Sequence, residues 1–212
     1  MANPRVLLVC EGEEDKRFFE ALIATHNLHH IGFCIWPSRG NTKFADAISA
    51  FEVERPGVFR QLKAVLLVAD KNDSAALRFN QANAEIAKLD GRKPNAAEMQ
   101  PSSGIPPIYA LMMPTDDDAG HLEAQCYHAA ERADAASARH VEAFLAMAGA
   151  DKWPSKSRWF KAWLRANLAI RCSDPGETLA RVFSENKHSG LIPMDDGAFK
   201  KLVDALKTFA PS

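Results

Sequence analysis

The chain is expected to form an α/β fold: a mainly parallel sheet with helices on both faces, followed by a helical carboxyl-terminal layer. Three features carry this expectation. Short apolar runs occur at residues 5–10, 64–69 and 107–113, the first rich in branched residues, the pattern of a central strand buried on both faces. The first two runs lead into apolar residues at helical spacing, and parallel neighbours need such crossovers. After Gly120 no further strand run is evident.

The first run, Arg5-Val6-Leu7-Leu8-Val9-Cys10, stops at Glu11-Gly12, after which Phe18, Phe19, Leu22 and Ile23 recur on one helical face. A second strand is expected at residues 32–36, followed by a turn through Pro37 and Gly40 and a helix carrying Phe44, Ala45 and Ile48. The third strand ends at Asp70 and leads into a helix over residues 75–89 with Leu77, Ile86 and Leu89 as apolar anchors. Proline and glycine punctuate residues 91–107, an exposed connection with room for an edge element, before a fourth strand ends at Pro114. Helices are expected over 121–132, 136–147, 156–169, 175–185 and 197–209, the fourth opened by Asp174 as N-cap with Pro175 behind it. The expected division is a core over 1–133 and a helical extension over 134–212.

Composition excludes several classes. With 26 Lys+Arg against 27 Asp+Glu, the formal charge of −1 provides no whole-protein field for nucleic acid or membrane. Hydrophobic residues at 47% describe a folded globular chain. Cys10, Cys34, Cys126 and Cys172 form no CxxC pair and read as reduced thiols. No signal peptide or long apolar span appears, so a cytoplasmic protein without a membrane partner is expected. Phosphate-loop, dinucleotide and serine-hydrolase motifs are absent.

Acids follow three strand ends: Glu11 with Glu13, Glu14 and Asp15; Asp70 with Asp73; and Asp116, Asp117 and Asp118 with Glu123. In a parallel sheet the carboxyl ends of the strands share one edge, the usual binding crevice. A lone acid after a strand is commonly a helix cap, and Asp15 suits a first-turn position. Several gathered carboxylates repel one another and call for a hard cation. Oxygen ligands without His or Cys at zinc spacing favour Mg²⁺ or Mn²⁺ and a phosphate-bearing substrate.

The segment Val6-Leu7-Leu8-Val9-Cys10-Glu11-Gly12-Glu13-Glu14-Asp15 resembles the opening motif of Toprim domains, shared by topoisomerases, primases and the overcoming-lysogenization-defect nucleases. It is especially similar to small bacterial and archaeal Toprim-like proteins. The resemblance implies Mg²⁺ held by Glu11 and a later Asp pair beside a phosphodiester, with Glu11 also moving a proton. Of the Asp pair only Asp70 is present, and Val68 stands at the other position, which argues for a degenerate site. The stretch from Met113-Pro114 through Gly120-His121-Leu122-Glu123 resembles a further segment of the small Toprim-like proteins.

On this reading Glu11, Asp70 and His121 are candidate catalytic groups. Glu11, Asp70, Asp73, Asp116, Asp118 and Glu123 are candidate metal ligands, and Arg39, Lys43 and Lys71 candidate phosphate contacts. The span 151–171 carries six bases and one acid, interleaved with Trp153, Trp159 and Trp163. Lys156, Arg158, Lys161 and Arg165 are therefore candidate nucleic-acid contacts, or else the solvated side of a helix anchored by its tryptophans. The expected activity is Mg²⁺-dependent phosphodiester chemistry on nucleic acid. Alternatives are a degenerate module that senses a nucleotide or binds a protein partner, as in phage-defence systems, and a small phosphotransfer enzyme acting on free nucleotides. His26, His29 and His30 read as favourable charges at a helix end.

Overall fold

The computed structural model describes residues 4–38, 40, 43–89, 91–115, 120–184 and 190–211. Four strands, β1 (Val6–Cys10), β2 (Phe33–Pro37), β3 (Ala64–Asp70) and β4 (Ile108–Met113), form one sheet in the order β2-β1-β3-β4. All three pairings are parallel, with Val6 opposite both Phe33 and Ala64, and Val65 opposite Ile108. The sheet is thus parallel throughout, and its carboxyl-terminal edge gathers Glu11, just beyond β1, beside Asp70 at the end of β3.

Helices α1 (Glu13–Thr25), α2 (Phe44–Glu54), α3 (Pro56–Phe59) and α4 (Ala75–Ala87) connect the strands. Behind β4 come α5 (Leu122–Ala133), α6 (Ala135–Met147), α7 (Lys156–Arg171), α8 (Leu179–Ser184) and α9 (Lys200–Lys207). Strand parity divides the core. Leu7, Val9, Val65, Leu67 and Met112 pack against Phe44, Ile48, Phe51 and Ile86 on one face. Leu8, Cys10, Leu66, Val68 and Met113 pack against Phe18, Phe19, Trp163, Phe199 and Leu202 on the other. That second cluster draws residues from α1 and from every helix of the carboxyl-terminal layer, so the layer is built onto the sheet. α1 lies on α8, and α5 on α7.

Several local expectations are corrected. No strand occurs among the described residues of 91–107. On α4 the inward stripe is Arg78, Ala82, Glu85 and Ile86, whereas Leu77 is 58% exposed. The hydrogen bonds of Arg78 make the reversal possible, because a buried guanidinium is tolerated only with acceptors around it. The helix expected from 175 begins instead at Leu179. Asp174 accepts the Gly176 N–H at 2.9 Å in a separate turn, while Thr178 Oγ1 accepts the Arg181 N–H at 3.4 Å. Among the described residues no helix is long and apolar enough to cross a membrane.

Candidate functional site

The site is built where β1, β3 and the turn before α5 meet. Glu11 leaves β1, and its Oε1 accepts the Asp70 N–H at 3.1 Å and the Arg78 Nη2 at 2.5 Å. The first contact bridges the neighbouring strand tips; the second brings a cation from α4 that spacing in the sequence did not reveal. Arg78 also donates from Nε to the Asp70 carbonyl at 3.0 Å and from Nη1 to Gln81 Oε1 at 2.7 Å.

Asp70 is held from the other side. Its Oδ1 accepts the Leu122 N–H at 3.1 Å, and its Oδ2 lies 2.9 Å from His121 Nδ1. Gly120 makes these contacts possible. Asn72 and Gly120 exchange backbone hydrogen bonds of 2.8 and 2.6 Å, which pins the turn to the end of β3. The φ of Gly120 is +130°, and a Cβ there would lie 2.8 Å from the Ala124 Cβ. Only glycine tolerates both conditions. Gly12 differs: its φ of −141° is extended backbone open to any residue.

Asp15, in the first turn of α1, accepts the Gly12 N–H at 2.7 Å. Burial pushes its carboxyl up to about 8, with the charges of Asp70, Glu11 and Glu123 adding to the rise and the Gly12 contact opposing it. Glu11 is raised by burial and then by Asp70, and together these outweigh the Arg78 ion pair. Glu123 is raised by burial foremost, with Lys161, 4.0 Å away, pulling the other way. Glu11, Asp15, Asp70 and Glu123 line one open cleft of about 410 Å³, with Lys161 at its side. A larger cavity of about 690 Å³, lined by Arg17, Glu20, Phe183 and Met194, contains none of these acids.

The sequence candidates therefore separate. Glu11, Asp70 and Glu123 come together, and His121 joins them through Asp70. Asp15, read as a helix-dipole partner, belongs to the cleft as well. Asp73 does not: it accepts the Ser155 Oγ at 2.9 Å and tethers the start of α7. Asp116, Asp118 and Arg39 lie outside the described residues. Lys43 lines a different groove with Trp36 and Arg55. Lys71 donates its backbone N–H to the Met113 carbonyl at 2.6 Å and is not among the residues lining the acid cleft. Val68 is 1% exposed within the apolar core and cannot serve as a ligand.

The basic helix also splits. Lys161 lines the acid cleft, and Arg165 lines an adjoining one that shares Glu14, Glu123 and Lys161. The guanidinium of Arg158 stands 4.8 Å over the Trp153 ring, and Lys156 begins the helix. Trp163 is fully buried and meets Tyr127 edge-on at 4.6 Å, with Trp159 against the same ring at 5.5 Å. Both tryptophans pack with the core. His26, for its part, meets the Met194 carbonyl through Nε2 at 2.9 Å.

A hard divalent cation matches this donor set in atom type and charge. The donors are carboxylate oxygens, and burial above all raises the proton affinity of Glu11, Asp15 and Glu123. In coordination number the match is incomplete. Among the described residues no three His, Cys, Asp or Glu side chains are gathered as a group that could hold a metal ion.

The architecture and cleft define a class: a parallel four-stranded α/β protein with strand-tip acids enclosed by a carboxyl-terminal helical layer. Within that class, residues 5–210 match the model of the family described as Protein of unknown function (DUF3226), and the chain belongs to that family. Among solved structures it is similar to the hypothetical protein PH0156 from Pyrococcus horikoshii OT3, with a TM-score of 0.58 and 15% identity. The match covers 97% of this chain and 93% of that one, and at such identity it shows a shared fold. No curated protein matches the sequence.

Proposed function

We propose that the chain is a Toprim-like cytoplasmic protein that uses Mg²⁺ or Mn²⁺ for phosphodiester chemistry on nucleic acid. One observation supports this reading above the others: Glu11 and Asp70, 59 residues apart, meet at neighbouring strand tips and share a cleft with Asp15 and Glu123. Glu11 and Asp70 would hold the cation, with Glu123 on the wall of the same cleft, and the bound cation would polarise a phosphoryl oxygen and orient water. Glu11, whose proton affinity is raised by burial, is placed to exchange a proton. Asp70 is oriented by His121 and the Leu122 N–H, and Lys161 offers a positive charge to a phosphate at the cleft wall.

Titration calorimetry with Mg²⁺ and Mn²⁺, run beside cleavage assays on single- and double-stranded DNA and RNA, tests the proposal. Glu11→Ala is expected to weaken cation binding at least tenfold and to abolish cleavage. A Glu11→Ala protein that keeps both would sink the assignment.

The Arg78 ion pair and the buried Val68 favour a second reading, a catalytically degenerate Toprim-like module that senses a nucleotide or binds a protein partner. Under it, nucleotides raise the melting temperature while no cation produces cleavage.

A further inference from the structure

α4 turns one stripe inward, and on that stripe an arginine occupies a position that an apolar side chain would fill more cheaply. Arg78 is 5% exposed. Its fork reaches three acceptors: the Glu11 carboxylate, the Asp70 main-chain carbonyl and the Gln81 side-chain oxygen. Both donors to Glu11, Arg78 Nη2 and the Asp70 N–H, converge on the same oxygen, Oε1. No further hydrogen bond reaches the Glu11 carboxylate among the described residues, so Oε2 is its free acceptor. The carboxylate is held by one oxygen and open at the other, and a permanent positive charge sits behind it. Arginine keeps that charge at every accessible pH.

Resting on the cation-binding reading above, we infer that Arg78 is a positioning residue that fixes Glu11 as a one-oxygen ligand and sets the cleft's affinity for divalent cations low. Two effects oppose each other. Fixing the carboxylate favours a bound ion by removing the need to order it. The guanidinium, close enough to bond Glu11 directly, repels any ion that Glu11 binds. Repulsion dominates, because it acts on a double charge in a partly desolvated cleft, whereas ordering concerns one short side chain. Arg78 thereby acts as a resident counter-charge that keeps the acid cleft folded when it is empty.

Mn²⁺ binding, followed by electron paramagnetic resonance on the full chain, tests this. Arg78→Met is expected to bind Mn²⁺ at least tenfold more tightly than wild type. Arg78→Lys, which restores the charge, should return the affinity to within threefold of wild type. Gln81→Ala frees one arm of the fork and leaves Glu11 paired. Its affinity should stay within twofold of wild type, and Arg78→Gln, which removes the charge, supplies the measurement if Arg78→Met does not fold. A purely structural Arg78 would lower stability in these variants without tightening Mn²⁺ binding. Glu11-dependent binding in wild type, with no gain in Arg78→Met or Arg78→Gln, overturns this inference alone. Absence of Glu11-dependent Mn²⁺ binding in every variant overturns the cation reading together with it.

Discussion

Glu11 and Asp70 stand at adjoining strand tips and are held in opposite ways. Glu11 depends on a side-chain cation, Arg78, carried by a separate helix. Asp70 is grasped by a backbone N–H and an imidazole delivered by a turn that is itself pinned by main-chain bonds to Asn72. A side chain can be replaced by one substitution with little change of backbone path, whereas a pinned turn fails as a unit. The Asp70 side is therefore the rigid wall of the cleft, and the Glu11 side is the wall whose charge can be tuned.

The largest expected effect breaks the rigid wall. Gly120→Ala places a methyl against Ala124 at a backbone angle that L residues rarely adopt, and should cost about 3 kcal/mol in urea unfolding. The His121 ring resonances should shift at the same time as the imidazole leaves Asp70. The intermediate effect sharpens the charge side of the comparison. The folded value of Asp15 is raised from 3.8 to about 8, so folding retains a proton that the unfolded chain releases. The contribution of Asp15 to stability is complete below about pH 4 and declines as pH rises toward 8. Asp15→Asn removes that decline: its advantage over wild type should be near zero at pH 4 and about 2 kcal/mol or more at pH 8.5. A pH-independent difference in unfolding midpoints would show that Asp15 is already ionised at neutral pH. The smallest effect belongs to Gly12→Ala, expected within about 0.5 kcal/mol of wild type, because the backbone there is extended and the new methyl makes only ordinary contact with Asp15.

Much of the fold was legible because its signals are local. β1 and β3 are runs of branched apolar residues, and the helix after Gly12 shows its buried face in Phe18, Phe19, Leu22 and Ile23. Sequence reading failed where a side chain's role depends on distant partners. Arg78 broke the expected apolar stripe of α4, and that break was itself the available signal: a charged residue four before Ala82 and eight before Ile86. Asp73 looked equivalent to Asp70 but faces Ser155, 82 residues away. Asp15 looked like a first-turn dipole partner and is also among the buried polar residues that line the cleft.

The amino-acid order by itself determined the strands, most helices, the two-sided burial of the sheet and the presence of acids at its carboxyl-terminal tips, because hydrophobic periodicity acts over a few residues. Tertiary structure alone decided which charges meet. The order β2-β1-β3-β4 puts β1 beside β3, and so Glu11 finds Asp70 at a separation of 59 residues and Arg78 at 67. Such electrostatic partnerships depend on distance through space, which local periodicity does not encode.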